Sequence, residues 1–109
     1  MRVALALLAC AAAAPALANP IGVWRERDGG TIRVYRCGAA LCAKIVTVQP
    51  RLDPASGKPR TDKHNEDAAK RNRPLVGVQV LTGMRPDGPA NWSGRLYDSD
   101  RGRIFSGNL

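Results

Sequence analysis

Asp62, His64, Asn65, Arg71 and Arg73 fall within a few turns of chain of one another, and His64 is the only histidine. A carboxylate two residues from an imidazole, with Ser56, Ser93, Ser99 and Ser106 elsewhere, supplies the residue types of base-assisted nucleophilic attack. A triad, however, is defined by geometry and not by sequence neighbours. No G-x-S-x-G elbow frames any of the serines. The first expectation is therefore a non-enzymatic protein with no catalytic residues, and a hydrolase using the Asp62/His64 region is the alternative. Asp62, Asn65, Arg71 and Arg73 also suit a polar or anionic ligand at the mouth of an apolar cavity, where a few placed polar groups give specificity.

The competing reading of the same stretch is structural, and it is preferred. Asn65 is placed to cap a short helical turn by accepting a backbone N–H. Glu66 and Asp67 then lie at the positive end of that turn, and Glu66–Lys70 and Asp67–Arg71 are i,i+4 pairs in the favoured order. Pro74 ends the turn because it lacks an N–H and restricts Arg73. On this reading the segment is a clasp that feeds a strand from Leu75.

Cys37 and Cys42 are separated by four residues, which is not the C-x-x-C spacing of a redox motif. A zinc site needs four ligands, and a single histidine beside these cysteines does not supply them. No metal and no cofactor are expected. A structural disulfide is, with the two cysteines standing opposite each other across a four-residue hairpin loop about 4.5 Å apart at Cα. Closing so short a loop is worth about 2 kcal/mol. Trp24 and Trp92 are candidates to line a ligand cavity, although such large side chains more often anchor a core.

Seventeen basic residues against nine acidic ones give a formal net charge of +8. No zinc-finger, helix-turn-helix or RNP signature accompanies that charge, so nucleic acid is not an expected partner. A solvated basic surface, or attraction to an anionic envelope component, accounts for it better.

The first eighteen residues read as a targeting segment. Met1-Arg2 precedes an apolar run from Val3 to Ala14, and Ala16-Leu17-Ala18 forms an A-x-A cleavage signal before Asn19. The run is too short to span a bilayer. Residues 1–18 are expected to be a signal peptide and 19–109 one domain in the periplasm. Leu7-Leu8-Ala9-Cys10 also resembles a lipobox, and the lesser reading is an outer-membrane lipoprotein carried on Cys10. An oxidising compartment agrees with a disulfide.

The remaining sequence reads as short strands punctuated by turns. Strands are expected at Gly22 to Arg27, Thr31 to Cys37, Ala43 to Val48, Leu75 to Thr82, Asn91 to Asp98 and from Arg103 to the end. In the second, Ile32 and Val34 share one face and Arg33 and Tyr35 the other. Gly77 within the fourth suggests a bend or bulge. Pro50, Pro54, Ser56, Gly57 and Pro59 mark the segment from Gln49 to Arg60 as loop.

Several motifs in order carry a family resemblance. These are Gly22-x-Trp24 with Asp28-Gly29, Tyr35-x-Cys37-Gly38-x-x-Leu41-Cys42-x-x-Ile45-Val46, and Asp62-x-x-Asn65. They continue with Arg71-x-Arg73-Pro74-Leu75-Val76-Gly77 and Trp92-x-Gly94-x-Leu96-Tyr97-Asp98 with Gly102. The sequence resembles the DUF2147 family of secreted bacterial proteins from Gly22 to Leu109. The resemblance implies a lipocalin-like β-barrel in the periplasm that binds a small ligand. It also implies about three further strands, with an R-G-x-x-G-like segment and a final Trp-x-Arg, which this sequence lacks.

The expected fold is therefore all-β, an antiparallel lipocalin-like barrel left incomplete or open, with about six strands and one short helical turn. A barrel of eight strands closes on itself and leaves no edge. An open one exposes two edge strands, so edge-to-edge self-association is expected. The expected ligand is a small apolar or amphipathic molecule held by Trp24, Asp62, Asn65, Arg71, Arg73 and Trp92. A structural envelope interaction module is the remaining alternative.

Overall fold

In the computed structural model, which describes residues 20–108, six strands form one antiparallel sheet. They are β1 (Gly22–Arg25), β2 (Thr31–Cys37), β3 (Ala40–Thr47), β4 (Gln79–Pro86), β5 (Trp92–Asp98) and β6 (Arg103–Asn108). Their order in the sheet is their order in the sequence, and β1 does not pair with β6. The fold is thus an all-β meander that is not closed, as expected, with one 3-10 turn at Ala68–Lys70.

Register divides the sheet into two faces, because side chains alternate along each strand. Trp24 pairs with Ile32, Val34 with Ala43, Leu41 with Met84, and Leu81 with Leu96. These residues form the inner face. Val34, Leu41, Ala43, Leu81 and Met84 are its buried cluster, with Ile32, Val80, Trp92 and Leu96 packed against it. Leu81 and Met84 are three positions apart and would point to opposite faces of a regular strand. The register shifts between Thr82 and Arg85, and this bulge brings Met84 back to the interior. The sheet curls around this core, since Trp24 of β1 and Trp92 of β5 line one hollow.

The strand boundaries differ from expectation in three places. The reversal after β2 occupies only Gly38 and Ala39, because Cys37 pairs with Ala40 and β3 begins there, not at Ala43. Small, buried Ala40, Cys42 and Ala43 give β3 no polar alternation to mark its start. Secondly, Leu75 to Val78 is not strand but a turn. Val78 N–H donates to Leu75 C=O at 3.0 Å, and Gly77 supplies the positive φ of 98° that the third position of a type II turn requires. The turn is fixed to β3 by reciprocal bonds, Gly77 N–H to Ile45 C=O and Ile45 N–H to Val78 C=O. Leu75 and Val78 are nonetheless buried, packing on Ile45 as a second cluster with Val48, Val80 and Tyr97 at its margin, while Val76 between them is 50% exposed. Thirdly, β1 ends at Arg25 and β4 runs on to Pro86.

The clasp is the segment between β3 and β4 that covers the sheet at Tyr97. Its two ends are tied by a bridge between Thr61 and Pro74, by Asp62 N–H to Arg73 C=O and by Leu75 N–H to Arg60 C=O. The capping expectation is corrected. Asp67, not Asn65, caps the 3-10 turn by accepting from Ala69 N–H, while Asn65 Oδ1 accepts from Asp67 N–H two residues on. The Glu66–Lys70 and Asp67–Arg71 pairs do not form among the described residues. Three residues of 3-10 turn do not give the i,i+4 spacing those pairs need.

Candidate ligand site

The inner face holds a hollow of about 370 Å³ lined by Trp24, Ile32, Val34, Leu41, Leu81, Met84 and Trp92, with Pro20, Arg25 and Glu26 at its rim. That volume lies within the range of small-molecule sites, and an apolar wall with few polar groups is their usual make-up. Each element contributes through alternation: β1 offers Trp24, β2 Ile32 and Val34, and β4 Leu81 and Met84 across its bulge. Trp24 is 52% exposed, so it walls the hollow and is not a core anchor. Its indole N–H is held by Pro20 C=O at 2.6 Å. Trp92 is half-buried and packs on the core.

The clasp builds a different kind of site. Asp62 has no exposed side-chain surface. Its Oδ1 accepts from the Tyr97 hydroxyl at 2.6 Å, and its Oδ2 from Asn65 Nδ2 at 2.9 Å and Arg73 Nε at 2.9 Å. Arg73 also presents Nη2 to the same oxygen at 2.9 Å, so the guanidinium grips it with two nitrogens. Burial pushes the Asp62 carboxyl up. The bonds from Asn65 and Tyr97 and the Arg73 guanidinium more than offset it and hold the group below the usual carboxylate range. Burial, and then the bond to Asp62, push the Tyr97 phenol up to about 12. Among the described residues no buried side-chain nitrogen or oxygen is left without a partner.

Gly102 locks this cluster to the β5–β6 turn. Its C=O accepts from Glu66 N–H at 3.0 Å, and any Cβ there would run into the His64 carbonyl. With φ at 72° the position favours glycine on conformational grounds as well.

A family model described as "Uncharacterized protein conserved in bacteria (DUF2147)" matches residues 22–109. The chain belongs to the DUF2147 family. Neither the curated proteins nor the solved structures contain a significant match to it.

The residues singled out in this DUF2147 sequence do not converge. Trp24 and Trp92 share the inner hollow, whereas Asn65 and Arg73 border a second hollow on the outer face. Asp62 is buried beneath the clasp, and Arg71 is spent on the clasp's backbone, its Nε donating to Asn65 C=O at 2.7 Å. His64 is exposed, while the Asp62 oxygens face Asn65, Arg73 and Tyr97. Two contributors were not singled out. Tyr97 alternates with inward-facing Leu96, which signals a residue aimed under the clasp. Met84 is hidden by the bulge, which no residue pattern in β4 announces.

Cys37 and Cys42 form the disulfide, S–S 2.00 Å and Cα–Cα 5.8 Å. They do not stand opposite each other. Cys42 pairs with Tyr35 and Cys37 with Ala40, so the bridge runs diagonally across β2 and β3. A disulfide is compatible with a site outside the cytoplasm. Residues 1–18, with the cleavage site and Cys10, lie outside the described residues.

Proposed function

We propose that this DUF2147 protein is a non-enzymatic periplasmic protein that binds a small apolar or amphipathic molecule in the inner hollow between Trp24 and Trp92. The observation that carries the reading is a concave wall of seven apolar side chains in a volume of about 370 Å³, one of them a tryptophan left 52% exposed. Leaving an indole in water forgoes the stabilisation its burial would bring, about 25 cal/mol for each Å² covered. A ligand that covers it recovers that term. The leader-like residues 1–18 and the disulfide support the periplasmic assignment. The non-enzymatic assignment is supported by Asp62, whose carboxylate is committed to three neighbours.

Equilibrium dialysis with palmitate and with a single-chain phospholipid, together with tryptophan emission, tests the proposal. Saturable binding with a blue shift, lost in Trp24→Ala, is the expected result. Absence of saturable uptake of either compound by folded protein defeats it.

The same exposed strand supports a homotypic partner. Among the described residues β1 and β6 each have one neighbour in the sheet, and Val23 and Ile104 are 56% and 59% exposed there. Strand edges of this kind add to one another. Concentration-dependent sedimentation, reduced by Val23→Lys, is the expected behaviour, and a monomer at every concentration would dismiss it.

A further inference from the structure

On the outer face, under the clasp, lies a second hollow of about 380 Å³ that differs in chemistry from the first. We propose that it is an anion site that takes a phosphate-bearing group. The cations that border it come from three separate elements: Lys70 and Arg73 from the clasp, Arg95 from β5 and Arg103 from β6. Arg73 is already neutralised by Asp62 at 2.9 Å. Lys70, Arg95 and Arg103 take part in no ion pair among the described residues. Arg103 shares the face of Phe105, its guanidinium 5.6 Å from that ring, so Lys70 and Arg95 are the cations that bear most directly on the hollow.

Neutral donors complete the wall. Register sets Thr82 directly across from Arg95. The Thr82 hydroxyl accepts from Gln79 Nε2 at 3.1 Å, which leaves its own hydrogen to donate. Asn65 is 5% exposed and borders the hollow; its amide nitrogen gives one hydrogen to Asp62 and carries a second. An arginine fork, an ammonium and a hydroxyl around one space match a tetrahedral oxyanion better than a planar carboxylate, which a single arginine satisfies. Two carboxylates, Glu66 and Asp67, also border the hollow. Asp67 is engaged by Ala69 N–H, but Glu66 opposes an anion directly. Binding is therefore weak and sensitive to salt. The proposal does not rest on the inner hollow.

Titration of the folded protein with inorganic phosphate at low ionic strength, followed by amide NMR, tests it. The amides of Lys70, Thr82 and Arg95 are expected to shift together with one saturation constant. Arg95→Gln should weaken that constant about fivefold, as expected for an exposed charge-assisted bond, and Glu66→Gln should tighten it. Arg33→Gln, which removes the same charge elsewhere on the outer face, should leave it unchanged. Equal weakening by Arg33→Gln and Arg95→Gln would reduce the effect to diffuse surface charge and overturn the proposal, as would shifts that never localise to these amides. Co-sedimentation with phosphatidylglycerol vesicles, against phosphatidylcholine vesicles, identifies the source. Selective binding that Arg95→Gln weakens assigns the site to a lipid headgroup. A phosphate response without vesicle binding assigns it to a soluble phosphate ester.

Discussion

The clasp and the inner hollow use their side chains in opposite ways. Under the clasp, Asp62 is wholly buried and three neighbours satisfy its carboxylate. In the hollow, a tryptophan remains half in water with an apolar space beside it. A buried charge is tolerated only when its partners are all present, so the clasp is specified by mutual dependence. Apolar surface is tolerated in water at a cost that grows only with area. The hollow can therefore stay open without threatening the fold. The polar cluster, which residue types alone suggest as a ligand site, is built as a structural lock, and the apolar face carries the proposed site.

The sharpest way to break this contrast is Asp62→Ala. Removal of the carboxylate leaves Arg73, Tyr97 and Asn65 without their shared acceptor. Loss of one partner of a buried pair typically costs 3–5 kcal/mol. The Arg73 side chain is 39% exposed and regains some hydration, so about 3 kcal/mol is expected, read as a lowered urea midpoint at unchanged slope. Met84→Ala is the corresponding change on the inner face. Met84 is 2% exposed, but it borders the hollow, so the cavity created joins a space already there. About 2 kcal/mol, at the low end for methionine truncation, is expected in the same measurement. A larger cost for Met84→Ala than for Asp62→Ala would invert the comparison.

Legibility followed the same division. Strands with strict alternation, such as β2 with Ile32 and Val34 on one side and Arg33 and Tyr35 on the other, were readable because one face meets water. Where the pattern is apolar on both sides it misleads. Leu75 to Val78 carries a strand's composition but forms a turn that buries Leu75 and Val78 against Ile45. The disulfide was legible but its diagonal placement was not, because a two-residue turn at Gly38 and Ala39 shifts the partner of Cys37 to Ala40. Asp62 and Arg73 both stand out in the sequence, but the expected ion pairs were Glu66–Lys70 and Asp67–Arg71, and the Asp62–Arg73 pair was not read from it. Its third member, Tyr97, sits 35 positions away from Asp62, and no local rule links them. The named site residues divide between strands, which carry Trp24 and Trp92, and the clasp, which carries Asp62, Asn65, Arg71 and Arg73, and composition does not show that division.

Tyr97→Phe sharpens the comparison from the clasp side. It removes one hydrogen bond to a charged acceptor and no packing volume, for a cost of about 1.5 kcal/mol at neutral pH. Its signature is in the pH profile. Asp62 is depressed in the folded state, so its contribution is present above the ordinary carboxylate value and is lost as pH falls through the folded one. Tyr97 is raised from 10.0 to about 12, so its contribution is present below 10 and is lost as pH rises toward 12. In Tyr97→Phe the alkaline loss belonging to this phenol disappears, and the acid loss is smaller and complete at higher pH, because Asp62 with one donor fewer is held less far below the ordinary carboxylate value. Urea midpoints across pH would show both changes. An unchanged acid limb would mean that Tyr97 does not support the carboxylate.

Trp24→Ala has the smallest expected effect on stability and discriminates most between the two regions. A tryptophan buried in a core costs 3–5 kcal/mol when truncated. Trp24 lies on an edge strand, is 52% exposed, and has one neighbouring strand to pack on. Its indole N–H bond to Pro20 C=O is at the surface, where water replaces it. About 0.5 kcal/mol is therefore expected, well below the cost of Met84→Ala, which is buried in the same wall. Ligand uptake should respond in the reverse order, falling about tenfold or more with Trp24→Ala because the indole forms the outer wall of the hollow. That pairing, a small loss of stability with a large loss of binding, is what a residue kept for a ligand produces. A residue kept for packing loses both together. If Trp24→Ala lowers the urea midpoint as far as Met84→Ala does, the indole contributes to the core after all, and the hollow is then a gap in packing and not a site.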